Sequence, residues 1–229
     1  LVGETYEHIH KRLVEKSVLN KEIADLKRNN ELFNGISFSL QKKVLDLRKV
    51  SINVLLKKSP KIVRDIASLS GKNIKVTIRG EDTVIDKNIL EMIEAPFIHL
   101  LRNAADHGIE HVSVRKERNK DPQGEIIIEV YEDNENMFLV IKDDGGGINT
   151  EKVKAKAIEK KLVSADKANQ MNDEEIYKFL FMPGFSTAEK VTDVSGRGVG
   201  LDVVKSNIES IKGEIIVESK IIVGTKFCI

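Results

Sequence analysis

Side chains that can bind metal and transfer protons follow one another at helical spacing in a short segment of the chain. They are His99, Asn103, Asp106 and His107. Residues three and four apart share one face of a helix, so these four are predicted to line one side. Two imidazoles, an amide and a carboxylate on one face can hold a hard cation and move a proton. An ordinary solvated helix face is the alternative, and it is the better interpretation of this segment taken alone.

A second group of candidate residues follows an apolar run that predicts a strand over residues 138–142. Asp143, at the end of that strand, can accept a hydrogen bond from the amine of a base. Gly145, Gly146 and Gly147 come next, and they allow a flat ring to lie against the backbone. A plain turn is the alternative, since Asp and Gly are common turn residues.

A second set of glycines opens a helix predicted over residues 199–211. They are Gly196, Gly198 and Gly200. The unpaired N–H groups and the dipole at a helix N-terminus favour a phosphate group. The spacing is not that of a P-loop and does not directly follow a strand, so neither common nucleotide fingerprint fits. The polar stretch between the two glycine groups predicts a mobile lid over a nucleotide, with a plain surface excursion as the alternative.

Composition limits the class of protein. The 229 residues include 37 Lys and Arg against 36 Asp and Glu, which argues against a protein that coats nucleic acid. Hydrophobic residues make up 41%, which fits a folded chain, and a single cysteine excludes an internal disulfide. No apolar run reaches the roughly 20 residues of a membrane span. We therefore expect no transmembrane segment and a cytoplasmic fragment of a longer protein.

The elements that position these residues fall into two parts. Apolar residues at helical spacing over residues 2–26 and 33–47 predict two helices, with a break at Asn29-Asn30. Such an antiparallel hairpin buries only one side of each helix. A second copy in a dimeric four-helix bundle would complete it, and packing on the rest of the chain is an equal alternative.

The remainder of the chain mixes helices with mainly antiparallel strands, which predicts an α+β sandwich. The predicted helices cover residues 60–70, 86–107, 151–161, 174–181 and 199–211. The predicted strands cover residues 74–78, 125–131, 138–142, 215–218 and 225–229.

Taken together and in this order, the motifs are much more specific than any one of them. The chain resembles the CheA family of chemotaxis histidine kinases. The similarity is densest in His99–Glu110, in Pro183–Glu189 and in Val199–Val204. It implies the Bergerat-type ATP-binding fold that is shared with other sensor kinases, gyrase-type topoisomerases and Hsp90. It also implies a helical-hairpin dimerisation domain over residues 1–52 and a catalytic domain over residues 53–229.

The resemblance implies a role for each matching residue. Asn103 matches the Mg²⁺ ligand, and His99 stands where ordinary sensor kinases carry a glutamate, where it would orient the γ-phosphate or assist proton transfer. Asp143 would hold the adenine amine. The other implied nucleotide contacts are Arg102, Asp106 and His107 near the phosphates and metal, Gly145 and Gly147 beside adenine, Lys152 and Lys156 at the phosphates, Ser186 and Thr187 in the lid, Gly196, Gly198 and Gly200 around the phosphates, and Thr225 closing the adenine pocket.

The function implied by the resemblance is transfer of the γ-phosphoryl group of ATP, with Mg²⁺, to a histidine on a separate phosphotransfer domain. The implied partners are a second copy bound through residues 1–52, and a coupling protein and chemoreceptors bound through domains outside this sequence. No nucleic acid is expected. The implied location is the cytoplasm, at membrane-associated receptor arrays. Three alternatives remain at this point. The first is an ATPase of the gyrase or Hsp90 type, which normally has a glutamate in place of His99, and the second is a non-catalytic nucleotide-binding scaffold. The third is an independent partner-binding coiled coil formed by residues 1–60.

Overall fold

The computed structural model describes residues 2–134, 136–185 and 200–229. The chain divides into two compact units, residues 1–49 and 50–229. The first unit is dominated by one helix, α1 (Val2–Asp46). None of the helices within the described ranges is both long enough and apolar enough to cross a membrane.

The predicted helical hairpin is wrong, because α1 runs through Asn29-Asn30 without a break. An asparagine inside a helix costs only about 0.7 kcal/mol relative to alanine. The strong helix formers Arg28 and Glu31 flank the pair, and α1 contains no proline. Two weak positions therefore do not end a helix of 45 residues.

The second unit holds most of the secondary structure. Its helices are α2 (Asn53–Leu56), α3 (Ser59–Ser70), α4 (Lys87–Asn103), α5 (Val112–Glu117), α6 (Thr150–Glu159), α7 (Ala165–Gln170), α8 (Asp173–Tyr177) and α9 (Leu201–Ser210). A π-helical segment, Ala104–Gly108, follows α4 and is called the π-turn below, and a 3-10 segment, Lys178–Phe181, follows α8. The strands are β1 (Lys49–Ser51), β2 (Ile74–Arg79), β3 (Val84–Asp86), β4 (Gly124–Asp133), β5 (Asn136–Asp143), β6 (Ile216–Lys220) and β7 (Gly224–Cys228).

Five of the strands form a mixed sheet in the order β2-β4-β5-β7-β6. β2 runs parallel to β4, and the other three neighbouring pairs are antiparallel. Buried and half-buried residues alternate along the first part of β4, as expected for a sheet with one covered face. The α+β fold predicted from the sequence is confirmed.

Helices of the second unit pack on the covered face around one hydrophobic core. α4 lies between α3 and α9, with contacts to both. The core includes Phe97, Leu100 and Leu101 of α4 and, from the sheet, Ile126, Ile128, Leu139 and Ile141. Because these residues are almost fully buried, α4 and the ends of β5 and β7 are held firmly relative to one another.

The predicted helix over residues 86–107 begins and ends slightly differently in the structure. Asp86 is the N-cap of α4, and its carboxylate accepts a hydrogen bond of 2.8 Å from the N–H of Asn88. Pro96 is tolerated inside α4. After Asn103 the chain changes to the wider π-turn, a type of segment that is frequent at functional sites.

Candidate active site

Asp143 is a buried carboxylate at the end of β5, with only 3% of its surface exposed. Its Oδ1 accepts hydrogen bonds from the N–H of Gly145 at 2.9 Å and from the N–H of Thr225 at 3.3 Å. Burial raises the pKa of Asp143 to about 6, and the two backbone N–H groups oppose that rise. We call Asp143, Gly145, Gly147 and Thr225 the carboxylate cluster.

Two glycines of the carboxylate cluster allow backbone segments to approach each other closely. A Cβ on Gly145 would lie 2.0 Å from the carbonyl oxygen of Gly108, at the end of the π-turn. Gly147 has a φ of +71°, and a Cβ there would lie 2.3 Å from the carbonyl oxygen of Lys220. The N–H of Gly146 donates to the Gly108 oxygen at 2.9 Å, which ties the loop to the π-turn.

Thr225 closes the cluster from the neighbouring strand. It lies directly opposite Asp143 in the β5–β7 register and is buried. Its hydroxyl is 3.0 Å from that of Ser219, which also accepts a hydrogen bond of 2.8 Å from the N–H of Ile148. Ser219 and Gly108 were missed by the sequence reasoning, and the only local signal for Gly108 is its place directly after His107.

The predicted row of polar residues on α4 is only partly buried. His99 and Asn103 are half-buried, whereas Arg102 is exposed. Burial lowers the pKa of His99, and the positive charges of Arg102 and His107 act in the same direction. Asp202, in the first turn of α9, opposes this shift, so the start of α9 lies close enough to affect His99.

Asp106 and His107 lie in the π-turn and are exposed, with the His107 Nε2 atom 3.6 Å from the Asp106 carboxylate. The Lys72 ammonium group donates to the carbonyl oxygens of Ala105, at 3.1 Å, and of Asp106. β5 and β7 both contact the π-turn. The structure therefore places the end of the predicted polar row beside the carboxylate cluster.

The remaining predicted residues are less closely tied to the cluster. Lys152 is exposed and Lys156 is half-buried on α6, which follows Gly147 after a short loop. Gly200 is the N-cap of α9 and has no side chain to satisfy the first N–H groups of that helix. The predictions for Ser186, Thr187, Gly196 and Gly198 lie outside the described residues.

An ionic network missed by the sequence reasoning lies directly behind the carboxylate cluster. It comprises Glu110, Arg115, Lys120 and Asp144. Arg115 is 1% exposed and binds the Asp144 carboxylate with both terminal nitrogens, at 3.2 and 2.8 Å. The Lys120 ammonium group donates to the carbonyl oxygen of Gly145 at 2.8 Å.

A cavity of about 430 Å³ lies elsewhere, between α3 and β2. Its lining includes Val63, Arg64, Lys72 and Val76. None of the predicted site residues lines it, so the chemistry of the side chains, and not this cavity, identifies the candidate site. Within the described residues, no group of three or more His, Cys, Asp and Glu side chains could hold a metal ion.

Residues 92–229 match the sequence profile of the family described as histidine kinase-, DNA gyrase B-, and HSP90-like ATPase. The chain therefore belongs to this family. The matching region contains α4 from its second turn onward, the π-turn, the carboxylate cluster and the ionic network.

Relatives within the family are chemotaxis proteins. The chain is 41% identical over 223 residues to "Chemotaxis protein CheA" of Listeria monocytogenes, covering 93% of this chain and 36% of the relative. It is 35% identical over 216 residues to the protein of the same name from Bacillus subtilis, covering 94% and 32%. The chain thus spans about a third of the length of these curated relatives.

A mycobacterial sensor histidine kinase, MprB, is a similar solved structure, with 19% identity, a TM-score of 0.45 and coverage of 79% of this chain and 93% of that one.

Proposed function

We propose that the chain is the ATP-binding catalytic part of a chemotaxis histidine kinase, which transfers the γ-phosphoryl group of ATP to a histidine on a separate phosphotransfer domain. The observation that carries the proposal is the buried Asp143 carboxylate between glycines, in a chain about 40% identical to a chemotaxis protein CheA. Phosphoryl transfer depends on positioning and charge neutralisation more than on covalent catalysis.

The adenine end of the site rests on the carboxylate cluster. The Asp143 Oδ1 atom is occupied by two backbone N–H groups, so Oδ2 is the oxygen placed to accept from the amine of adenine. Gly145 and Gly147 shape the wall beside the ring, because each lets the loop approach neighbouring backbone closely, and Thr225 closes the pocket beside the carboxylate. A buried acceptor strongly disfavours a base that lacks the amine.

The phosphate end rests on α4, the π-turn and the start of α9. A single amide oxygen, that of Asn103, suits Mg²⁺, which takes one or two protein ligands together with phosphate oxygens and water. Bound Mg²⁺ supplies neutralisation of the phosphate charge. Burial lowers the pKa of His99, which favours the neutral ring, and the ring is placed to orient the γ-phosphate or to accept a proton. Arg102, Asp106 and His107 line this side.

Further phosphate contacts are proposed for Lys152 and Lys156, for the lid residues Ser186 and Thr187, and for three glycines. Gly196, Gly198 and Gly200 precede α9, whose N-terminal N–H groups can donate hydrogen bonds to an anion. Together these groups provide the positive potential that holds a triphosphate.

We assign the catalytic role to residues 53–229 and a dimerisation role to residues 1–52. Several large apolar side chains of α1 are exposed, which supports pairing with a second copy. The relatives' name also supports a place in a chemotaxis pathway, with a coupling protein and chemoreceptors as partners in the complete protein, at receptor arrays in the cytoplasm.

The test is incubation of the chain with radiolabelled ATP, Mg²⁺ and a phosphotransfer domain. We expect label on the phosphotransfer domain, and we expect the substitution Asn103→Asp to abolish it. ATP binding by calorimetry with no transfer to any cognate domain would favour a scaffold. Release of free phosphate without labelled protein would favour an ATPase of the gyrase or Hsp90 type.

A further inference from the structure

The ionic network is unusual because it buries a complete guanidinium group. Each nitrogen of the Arg115 guanidinium has an acceptor: Nε donates to the carbonyl oxygen of Asp121 at 2.6 Å, Nη1 to Glu110 at 3.1 Å, and Nη2 to Asp144 at 2.8 Å. A buried arginine is tolerated only when its charge is paired and its donors are satisfied. Arg115 therefore fixes the positions of the Glu110 and Asp144 carboxylates and of the Asp121 carbonyl group.

Two links run from this network to the residues that follow Asp143. Asp144 is held by Arg115 on one side and by the N–H of Glu125 on the other, at 2.9 Å to Oδ1. Lys120 holds the carbonyl oxygen of Gly145. Asp144 and Gly145 are therefore held by side chains of α5 and of the segment after it, in addition to the backbone hydrogen bonds of the sheet.

Glu110 joins the two cations into one unit. Its carboxylate is 9% exposed and lies 3.1 Å from Arg115 and 3.2 Å from Lys120. Arg118 also pairs with Glu110, at 3.0 Å, but it is 40% exposed. Arg118 thus shares the carboxylate with Lys120 without making the hydrogen bond to Gly145.

From this geometry we infer that Arg115, Glu110 and Lys120 are positioning residues that set the base selectivity of the nucleotide site by fixing the loop behind Asp143. The inference rests on the proposed ATP-binding function. The Gly145 N–H donates to Asp143 while the Gly145 carbonyl accepts from Lys120, so one peptide segment connects the network to the carboxylate. Freeing the carbonyl lets the Gly145 N–H move away from Oδ1, and the carboxylate is then no longer held toward the base.

The experiment compares the binding of ATP with that of inosine triphosphate, in which a carbonyl oxygen replaces the 6-amino group. Calorimetry with Mg²⁺ gives both affinities for the wild type, for Lys120→Met and for Arg118→Met. We expect Lys120→Met to lower the ratio of the association constants for ATP and inosine triphosphate about tenfold. This is the effect expected from the loss of one buried hydrogen bond to a charged group. We expect Arg118→Met to retain the wild-type ratio. General destabilisation of the domain lowers both affinities together and leaves the ratio unchanged.

A second variant covers the case in which Lys120→Met does not fold, as judged by its circular dichroism spectrum. Lys120→Arg keeps a charge and a donor and should hold the ratio within about threefold of the wild type, whereas Lys120→Gln, which lacks the charge, should lower it. If the lysine variants that fold keep the wild-type ratio, the inference is overturned while the proposed function stands. If the wild type binds both nucleotides equally or binds neither, the assignment of Asp143 fails and the inference falls with it.

Discussion

Asp143 and Thr225 face each other across β5 and β7, and the N–H of Thr225 donates to the Asp143 carboxylate at 3.3 Å. This pairing puts a charged group in the interior of the second unit, where the N–H groups of Gly145 and Thr225 only partly replace its hydration. A carboxylate held in this way is costly to the fold and favourable for binding a base.

The cost of burying Asp143 should appear in the pH dependence of stability. The pKa of Asp143 rises from 3.8 to about 6 on folding, so the folded state binds the proton more tightly. Its contribution to stability is complete below pH 3.8 and is lost as the pH rises through about 6. Asp143→Asn removes the charge and should raise the free energy of unfolding at pH 8 by about 1–3 kcal/mol. Urea denaturation at pH 8 and pH 5 measures this difference.

The gain from Asp143→Asn should be smaller at pH 5, where the wild-type carboxyl group is already largely protonated in the folded state. An amide at this position still accepts the N–H groups of Gly145 and Thr225 through its oxygen. Equal gains at the two pH values would show that the stabilisation does not come from removal of the charge.

The same titration should change the base selectivity. An ionised carboxylate accepts from the adenine amine, whereas a protonated carboxyl group can donate to the carbonyl oxygen of inosine triphosphate. The ratio of ATP affinity to inosine triphosphate affinity should therefore fall as the pH is lowered from 8 through about 6. Calorimetry at several pH values measures the ratio, in which protonation of the triphosphate cancels.

Asp143→Asn provides the matched control for that titration. Its amide does not titrate and can donate to the inosine oxygen, so the ratio should be low and independent of pH. A ratio that changes with pH equally in the variant and the wild type would assign the titration to another group, such as His99.

How far the sequence predicts this site depends on whether a residue acts through its local context or through distant packing. Asp143 and Gly145 stand out in the sequence at a strand end beside glycines, and the family resemblance adds Thr225. The structure brings the three residues together. Arg115 and Lys120 read as ordinary charged residues. Arg115 binds the Asp144 carboxylate, 29 residues away, and Lys120 binds the Gly145 carbonyl oxygen, 25 residues away. No local pattern contains either partner.

The length of a helix or strand decided whether the sequence predicted it. Long amphipathic segments such as α3, α4 and α9 carry a clear period and were found. The segments α5, α7 and β3 have three to six residues and were missed. A segment this short does not show a recognisable repeat of apolar residues. The hairpin in residues 1–52 was wrong because Asn29-Asn30 looks like a turn only when the helix formers around it are ignored.

The close approach at Gly145 predicts that two adjacent glycines differ sharply in their tolerance of alanine. In Gly145→Ala the new Cβ meets backbone atoms of Gly108, which cannot move without displacing the π-turn. We expect a loss of about 1–3 kcal/mol in the free energy of unfolding, together with weaker ATP binding.

Gly146→Ala is the matched control, since its Cβ would meet only the side chains of Arg118, at 3.5 Å, and Glu110, at 3.7 Å, and no backbone atom. Its φ is not positive, so alanine fits the backbone without strain. Thermal denaturation and calorimetry on both variants test the difference. Equal effects of the two substitutions would mean that contact with the π-turn does not set the position of the loop.

The apolar surface of α1 predicts self-association through residues 1–52. Leu26, Phe33, Ile36 and Leu40 each expose 61–70% of their surface, and they follow a heptad-like spacing along the helix. Phe33→Glu places a charge in this stripe in both copies of a symmetric dimer and should raise its dissociation constant by about 100-fold or more. Asn34→Glu adds the same charge one position away, off the stripe, and should leave the dissociation constant nearly unchanged. Sedimentation equilibrium of the whole chain measures both variants, and identical behaviour of the two would exclude this stripe as the dimer contact.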